Sequence, residues 1–417
     1  MKTMKKAMYI LLVSLLSVTA YAQTEKRNLE FEDYSTQQEK VISQVFENKD
    51  YGQLVILLLD WEQKYNILSQ EQKTLYASIA GGAIYYNLAC AYSMTKKKDK
   101  AIDYFKKAVE AGFDEKGHIE EDTDLDNIRK DKRFIKILAE IPEKETYLDI
   151  LRKAGNYVSA DTTGLPGFNY ESVSNWRIQS VKKYLKLDSI AGQGDEIAQI
   201  LNLMTWVHNT IKHDGNHKPD CSEHDAMDLY NYYKTTGNGV NCRMLAIILN
   251  ECYLSMGFKS RFVTCLPLDE NDQDCHVINC VYSKTLKKWI WVDPTFNAYL
   301  KDENGMLLSI EEVRSRLIEG KTIILNEDAN WNNKNKQTKK NYIDNYMAKN
   351  LYRIQCPTNS YFNVESPYRN ANITYISLAP EEFEGYGQFE GFNKSGRSNG
   401  EIITHDPAYF WQIPVEN

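Results

Sequence analysis

Residues 239–258 read GVNCRMLAIILNECYLSMGF, and this stretch predicts a buried helix that begins at a cysteine. The run behind Cys242 is apolar almost all round a helical period, which is typical of a helix enclosed by its domain. Gly239 allows a close approach of the chain before the cysteine, and Gly257 is a favourable residue for ending the helix. Cys242 should therefore lie in the first turn, where the helix dipole and free N–H groups stabilise a thiolate.

Three segments typical of strands follow this helix, and two of them carry a polar residue at one end. The segments 259–266, 276–283 and 288–292 are rich in β-branched and aromatic residues. His276 begins the second segment, and Asp293 directly follows the third. If these two strands are antiparallel neighbours, both residues meet at one edge of the sheet. The pattern predicts an antiparallel meander that brings the histidine and the aspartate together.

A cysteine, a histidine and an aspartate in this order can cleave an amide bond through a covalent intermediate. The Cys242 thiolate would attack a carbonyl carbon, His276 would later protonate the leaving amine, and Asp293 would fix the imidazole ring. The backbone N–H of Cys242 is a natural donor to the oxyanion. The acyl-enzyme would then react with water, which is hydrolysis, or with an amine, which is transamidation.

A polar loop upstream of the nucleophile supplies further candidates. His213 and His217 could each be a second oxyanion donor, and Asn241 is another candidate for contact with the substrate or the oxyanion. The same two histidines, together with Cys221 and His224, are spaced closely enough to bind one zinc ion. No second motif supports a metal site, so lining of the active-site cleft is the favoured interpretation. We predict neither a metal nor another cofactor.

Four short motifs resemble the transglutaminase-like superfamily. They occur in the superfamily's order, at residues 239–243, 257–263, 275–277 and 291–295. Residues 206–211 also resemble its helix upstream of the nucleophile, and the whole resemblance covers roughly residues 170–300. It implies a papain-like fold in which Cys242, His276 and Asp293 form the catalytic triad. Because the superfamily includes crosslinking transglutaminases, peptidases and deglycosylating amidases, the resemblance does not select one reaction.

The first residues predict a cleavable secretory signal. Three lysines precede a short apolar run at residues 8–18, and Ala20 and Ala22 fit the positions that a signal peptidase reads. Cleavage between Ala22 and Gln23 would leave a secreted or periplasmic protein. No other stretch is long and apolar enough to cross a bilayer, so we expect no membrane span after removal of the signal, residues 1–22.

The remaining sequence predicts three parts of an α+β protein. Residues 23–150 show helical periodicity, and residues 85–108 resemble a tetratricopeptide helix pair. One clear repeat fits either a helical cap on the next domain or an array that binds a protein partner. Residues 151–325 form the predicted papain-like, transglutaminase-like catalytic domain. Residues 326–417 begin with a polar, Lys- and Asn-rich stretch and are predicted to be a small β-containing appendage.

Composition and charge exclude one class of partner. The 417 residues carry a formal net charge of −7 and show no basic stripe, so nucleic acid is not an expected partner.

The favoured function is an exported thiol enzyme that cleaves an amide bond in a peptide or protein. Two alternatives stay open, a protein-crosslinking transglutaminase and a non-catalytic scaffold with a vestigial thiol site.

Overall fold

A computed structural model describes most of the chain in two compact units, residues 1–144 and 145–417. The described residues are 27–143, 145–215, 219, 223–272, 274–366, 373–383, 391–392 and 398–415. The predicted signal, the cleavage site after Ala22 and the candidate His217 lie outside them. Within this part of the chain, no helix combines the length and the apolar character that a bilayer span requires.

The described part of the first unit is helical, as predicted. Its helices are α1 (Leu29–Glu47), α2 (Tyr51–Asn66), α3 (Gln70–Leu75), a π-helical segment (Ile79–Tyr86) that continues into α4 (Asn87–Met94), α5 (Lys98–Glu110), α6 (Lys116–Glu121), a 3₁₀ turn (Thr123–Leu125) and α7 (Lys132–Glu140). Ala89, Ala101 and Ala108 are fully buried where α4 and α5 pack, so small side chains allow the close approach. The tetratricopeptide-like arrangement stays a prediction.

The second unit combines helices with a large sheet, which confirms the α+β prediction. Its helices are α8 (Tyr147–Ala154), α9 (Trp176–Leu185), α10 (Leu187–Ala191), α11 (Glu196–Thr210), α12 (Ala226–Thr236), α13 (Cys242–Ser255), α14 (Ile310–Glu319), a π-helical segment (Lys340–Met347) that continues into α15 (Ala348–Asn350), and α16 (Pro407–Phe410). The unit begins at residue 145, a few residues before the predicted boundary at 150, because Leu148 of α8 packs against its core together with Leu151.

Seven of the described strands form one mixed sheet in the order β12-β13-β11-β9-β2-β3-β4. The strands are β1 (Asn169–Tyr170), β2 (Ser260–Leu266), β3 (His276–Ser283), β4 (Lys288–Val292), β5 (Leu300–Lys301), β6 (Ile324–Leu325), β7 (Asn330–Trp331), β8 (Asn335–Lys336), β9 (Arg353–Pro357), β10 (Asn359–Ser360), β11 (Thr374–Leu378), β12 (Gly391–Phe392) and β13 (Ser398–Thr404). β3 pairs antiparallel with both β2 and β4, which confirms the predicted meander.

The strands after residue 326 extend this sheet instead of standing apart as an appendage. β9 pairs antiparallel with β2, and β11 pairs antiparallel with β9 and parallel with β13. The predicted boundary near residue 326 therefore has no counterpart in the packing. The reason is that β2 would otherwise present an unpaired edge, and a strand that arrives late in the chain can satisfy its backbone N–H and C=O groups.

Helix α13 is buried as predicted and is fixed to both the sheet and its helical neighbour. The Asn279 side chain on β3 donates from Nδ2 to the Ala246 carbonyl at 2.9 Å. The Tyr253 hydroxyl donates to the Ile200 carbonyl on α11, also at 2.9 Å. Buried hydrogen bonds of this kind fix orientation more than they add net stability. The first bond fixes the early part of α13, and hence Cys242, to the sheet, and the second fixes the end of α13 to α11.

Candidate active site

Cys242 is the first residue of α13, with its side chain half-buried. The residue before it, Asn241, is the N-cap and accepts a hydrogen bond from the Met244 N–H at 3.0 Å. The oxygen of Asn241, a sequence candidate for substrate contact, is thus engaged in capping the helix. The N–H groups of Cys242 and Arg243 lie in the first turn, where no helical carbonyl can reach them.

His276 and Asp293 meet at the edge of the sheet, as the antiparallel pairing of β3 with β4 requires. His276 Nε2 lies 2.7 Å from Asp293 Oδ2, and the two side chains are 1% and 0% exposed. Asp293 Oδ2 also accepts from the Tyr342 hydroxyl at 2.5 Å, while Oδ1 accepts from the Thr295 N–H at 2.8 Å. The carboxylate is therefore held from both sides.

Two neighbouring aromatic rings contact the His276 imidazole. The Phe296 and Tyr346 rings each lie 5.4 Å from it, centroid to centroid. Burial favours the neutral imidazole, but the Asp293 charge and its hydrogen bond outweigh this effect and raise the pKa of His276 to about 10. Because Nε2 faces Asp293, Nδ1 is the nitrogen left for Cys242.

The Cys242 sulfur lies among donors that favour its ionised form. Burial alone would raise the pKa of the thiol. Hydrogen bonds from the His213 and His276 side chains, the His276 charge and the Val277 backbone N–H reverse this and lower the pKa to about 5. The paired groups therefore exist as thiolate and imidazolium at neutral pH.

His213 lies beside the nucleophile because its segment pairs with the residues that precede Cys242. His213 and Val240 form a parallel bridge: the Asp214 N–H donates to the Val240 carbonyl at 2.8 Å, and the Val240 N–H donates to the Lys212 carbonyl at 3.0 Å. The sequence candidate His213 is thereby brought next to Cys242. A side chain at Gly239 would collide with this segment.

Replacing Gly239 by alanine is expected to destabilise the protein by about 1–3 kcal/mol, the usual cost of overpacking. Its Cβ would lie 2.7 Å from the Lys212 carbonyl oxygen and 2.9 Å from Asp214 Cβ, so the backbone would have to shift. Gly167→Ala in the same unit is the matched control, since its Cβ would meet nothing within 4 Å. Urea unfolding measures both, and equal stabilities would contradict the close approach.

Alkylation of Cys242 by iodoacetamide is expected to rise through pH 5 and to stay high above it. The lowered pKa of about 5 means that the thiolate forms there, and the His276 pKa of about 10 keeps the pair intact to alkaline pH. Half-buried Cys275 is an internal control, since burial raises the pKa of its thiol and it should react only in base. Peptide mapping across pH measures both sites. A Cys242 midpoint no lower than that of Cys275 would contradict the ion pair.

Three residues around the site were not among the sequence candidates for it. Tyr342, on the π-helical segment, donates to Asp293. Trp331, on the β7–β8 hairpin, donates from Nε1 to His213 Nδ1 at 3.1 Å. His208 on α11 contacts the Pro294 carbonyl through Nδ1 at 3.1 Å and Asn330 Oδ1 through Nε2 at 3.0 Å. His208 thus connects the chain after Asp293 to that hairpin.

The described residues do not form the zinc site that the sequence analysis considered. Cys221 and His217 lie outside them, and His213 is engaged by Trp331. His224 is half-buried, and burial lowers its pKa. Among the described residues, no group of three or more metal-ligating side chains is placed to hold an ion.

The seven cysteines in this part of the chain are free thiols.

Comparison with known proteins assigns the domain that carries this site. Residues 183–294 match the family model of the transglutaminase-like superfamily, so this part of the chain is a transglutaminase-like domain. The matched range runs from α9 to just past Asp293 and contains all three proposed catalytic residues. The resemblance expected from the sequence motifs is thereby confirmed for this domain.

One similar solved structure is a candidate cysteine protease from Cytophaga hutchinsonii. It is 17% identical with a TM-score of 0.23, and the match covers 40% of this chain and 55% of that one. The chain thus spans about half the length of the solved structure that it matches. No curated protein matches the chain.

Proposed function

We propose that this protein is an exported thiol enzyme that cleaves an amide bond in a peptide or protein through Cys242, His276 and Asp293. The observation that carries the proposal is the geometry around the sulfur. A half-buried thiol lies at a helix N-terminus, a buried imidazole lowers its pKa, and that imidazole is 2.7 Å from a buried carboxylate. Buried charges that are expensive to maintain are typical of catalytic sites.

The reaction follows from the charges in the site. The Cys242 thiolate attacks the carbonyl carbon, a C–S bond forms, and the electron pair of the C=O bond moves to oxygen. When the intermediate collapses, the C–N bond breaks and the His276 imidazolium gives its proton to the leaving nitrogen. His276 then takes a proton from water, which attacks the thioester and releases a carboxylic acid and the thiolate. Asp293 stabilises the imidazolium of the resting site and again when it re-forms.

Hydrolysis is the favoured outcome, and product analysis tests it against the alternatives. The mature protein and its Cys242→Ala variant would be incubated with a peptide library, and the products identified by mass spectrometry. Cysteine-dependent peptides ending in a new carboxylate support hydrolysis. Cysteine-dependent joining of two peptides with loss of ammonia would support a crosslinking transglutaminase instead. No change in any peptide, together with binding that does not depend on Cys242, would support the scaffold.

Export is the second part of the proposal and rests on the first residues of the sequence. The three lysines, the apolar run and the small residues at Ala20 and Ala22 support a cleavable signal. Mass spectrometry of the protein recovered outside the cytoplasm should find an N-terminus at Gln23. A chain that keeps Met1 in that fraction would contradict cleavage.

A further inference from the structure

We propose that Trp331 and His213 form a hydrogen-bond relay that ends at the nucleophile. Trp331 keeps the ring proton of His213 on Nε2. His213 then donates this N–H in a hydrogen bond, first to the Cys242 sulfur and then to the oxyanion. This inference rests on the proposed function and deepens it. His213 is a catalytic residue in this scheme, since it touches a reacting atom. Trp331 is a positioning residue that acts through His213.

The backbone of His213 is held more firmly than its loop location suggests. Asn332 binds it on both sides, with Oδ1 accepting from the His213 N–H at 2.7 Å and Nδ2 donating to the His213 carbonyl at 2.9 Å. The parallel bridge to Val240 adds a third attachment two residues before the nucleophile. A side chain fixed in this way keeps its distance from the sulfur through a catalytic cycle.

The hydrogen bond from Trp331 decides which nitrogen of His213 carries the proton. The indole Nε1 of Trp331 can only donate, so His213 Nδ1, which lies 3.1 Å from it, must accept. The ring proton is therefore on Nε2. The bridge to Val240 holds the His213 segment beside the nucleophile, and the His213 side chain is among the groups that lower the pKa of the Cys242 thiol. With Nδ1 engaged by the indole, Nε2–H is the group that reaches the sulfur.

A donor at this position is useful because the negative charge moves during the reaction. In the resting site the charge is on the Cys242 sulfur, and attack transfers it to the former carbonyl oxygen. A donor that lies beside the sulfur can follow the charge to the oxygen, together with the backbone N–H of Cys242. His276 is committed to proton transfer to the leaving nitrogen. The two histidines thus have separate tasks, one as an acid and base and one as a fixed donor.

The test compares two reactions of Cys242, one that forms an oxyanion and one that does not. Acylation by p-nitrophenyl acetate passes through a tetrahedral oxyanion, whereas alkylation by iodoacetamide does not. Loss of one oxyanion donor typically costs about 10²-fold to 10³-fold in rate. His213→Ala should therefore slow acylation by about 10²-fold more than alkylation. His213→Gln, which keeps an N–H donor, should recover part of the loss, and Trp331→Phe should show a smaller loss of the same kind.

Trp61→Phe is the matched control for the indole. Trp61 Nε1 donates to Ser35 Oγ at 3.0 Å in the helical unit, so this variant also loses a buried indole hydrogen bond. Its acylation and alkylation rates should both match the wild type. Equal losses of acylation and alkylation in His213→Ala, or unchanged acylation in Trp331→Phe, would overturn the relay.

Failure of the proposed function gives a different result. Wild-type protein whose Cys242 is rapidly alkylated but never acylated would contradict the proposed enzymatic function. The relay is then tested by the pH midpoint of Cys242 alkylation alone. A higher midpoint in Trp331→Phe than in Trp61→Phe supports it, because the thiolate has lost an oriented donor. Identical midpoints overturn it.

Discussion

Replacement of Cys242 by alanine is expected to abolish amide turnover while the protein stays folded. The covalent intermediate forms on the Cys242 sulfur, and loss of a nucleophile from a catalytic triad costs on the order of 10⁴-fold to 10⁶-fold in kcat/KM. The side chain is half-buried at the helix start, so alanine leaves only a small cavity and little loss of stability. The measurement is kcat/KM on a peptide found by substrate profiling, with circular dichroism as the folding control.

Cys275→Ala is the matched control for this prediction. Cys275 is also half-buried and precedes His276 in the chain, but its side chain has no role in the proposed reaction. It should keep wild-type kcat/KM. A folded Cys242→Ala protein with wild-type turnover would exclude the thiol mechanism, whatever the behaviour of the control.

Replacement of His276 by alanine is expected to have the second largest effect, since the thiolate loses its partner and the leaving amine loses its acid. General acid–base catalysis is typically worth about 10²-fold to 10⁴-fold. Activity should not be restored at alkaline pH, because ionising the thiol does not replace the proton donor. The double variant with Cys242→Ala should be no worse than Cys242→Ala alone, since residues that act as one unit do not contribute additively.

Asp293→Asn refines the same prediction, because the contacts of both carboxylate oxygens are known. Oδ2 accepts from His276 and Tyr342, and Oδ1 accepts from the Thr295 N–H. An amide has one acceptor oxygen, so either orientation points an NH₂ group at an existing donor. We expect a milder loss of turnover than in His276→Ala, together with a loss of about 1–3 kcal/mol of stability. Wild-type kcat/KM in a stable Asp293→Asn protein would contradict the role of the charge.

The sequence predicted the centre of the site because its signals are local. An apolar run behind Cys242 can only be a buried helix, and strand patterns at residues 276–283 and 288–292 bring His276 and Asp293 to one edge once they pair. Each of these inferences depends on neighbours in the sequence. Gly239 is also a local signal, because a residue without a side chain indicates that another segment of the backbone packs closely against it.

The supporting residues could not be predicted, because their partners are far away in the sequence. Tyr342 lies 49 positions from Asp293, and Trp331 lies 118 positions from His213. The polar stretch near residue 330 is typical of a linker by composition. In the structure Asn332 hydrogen-bonds the His213 backbone, and Asn330 donates from Nδ2 to the Asp328 carbonyl. Composition shows that a side chain is polar, but it does not identify the group that the side chain binds.

The most direct test of the account is intact-protein mass spectrometry of the enzyme quenched with acid during turnover of a profiled peptide. The thiol mechanism predicts one added acyl group, located on Cys242 by peptide mapping, released by hydroxylamine as a thioester should be, and absent from Cys242→Ala. His276→Ala should form this adduct far more slowly. Turnover of the peptide with no adduct on Cys242, or with an acyl group on another residue, would contradict the central claim that this thiol is the nucleophile.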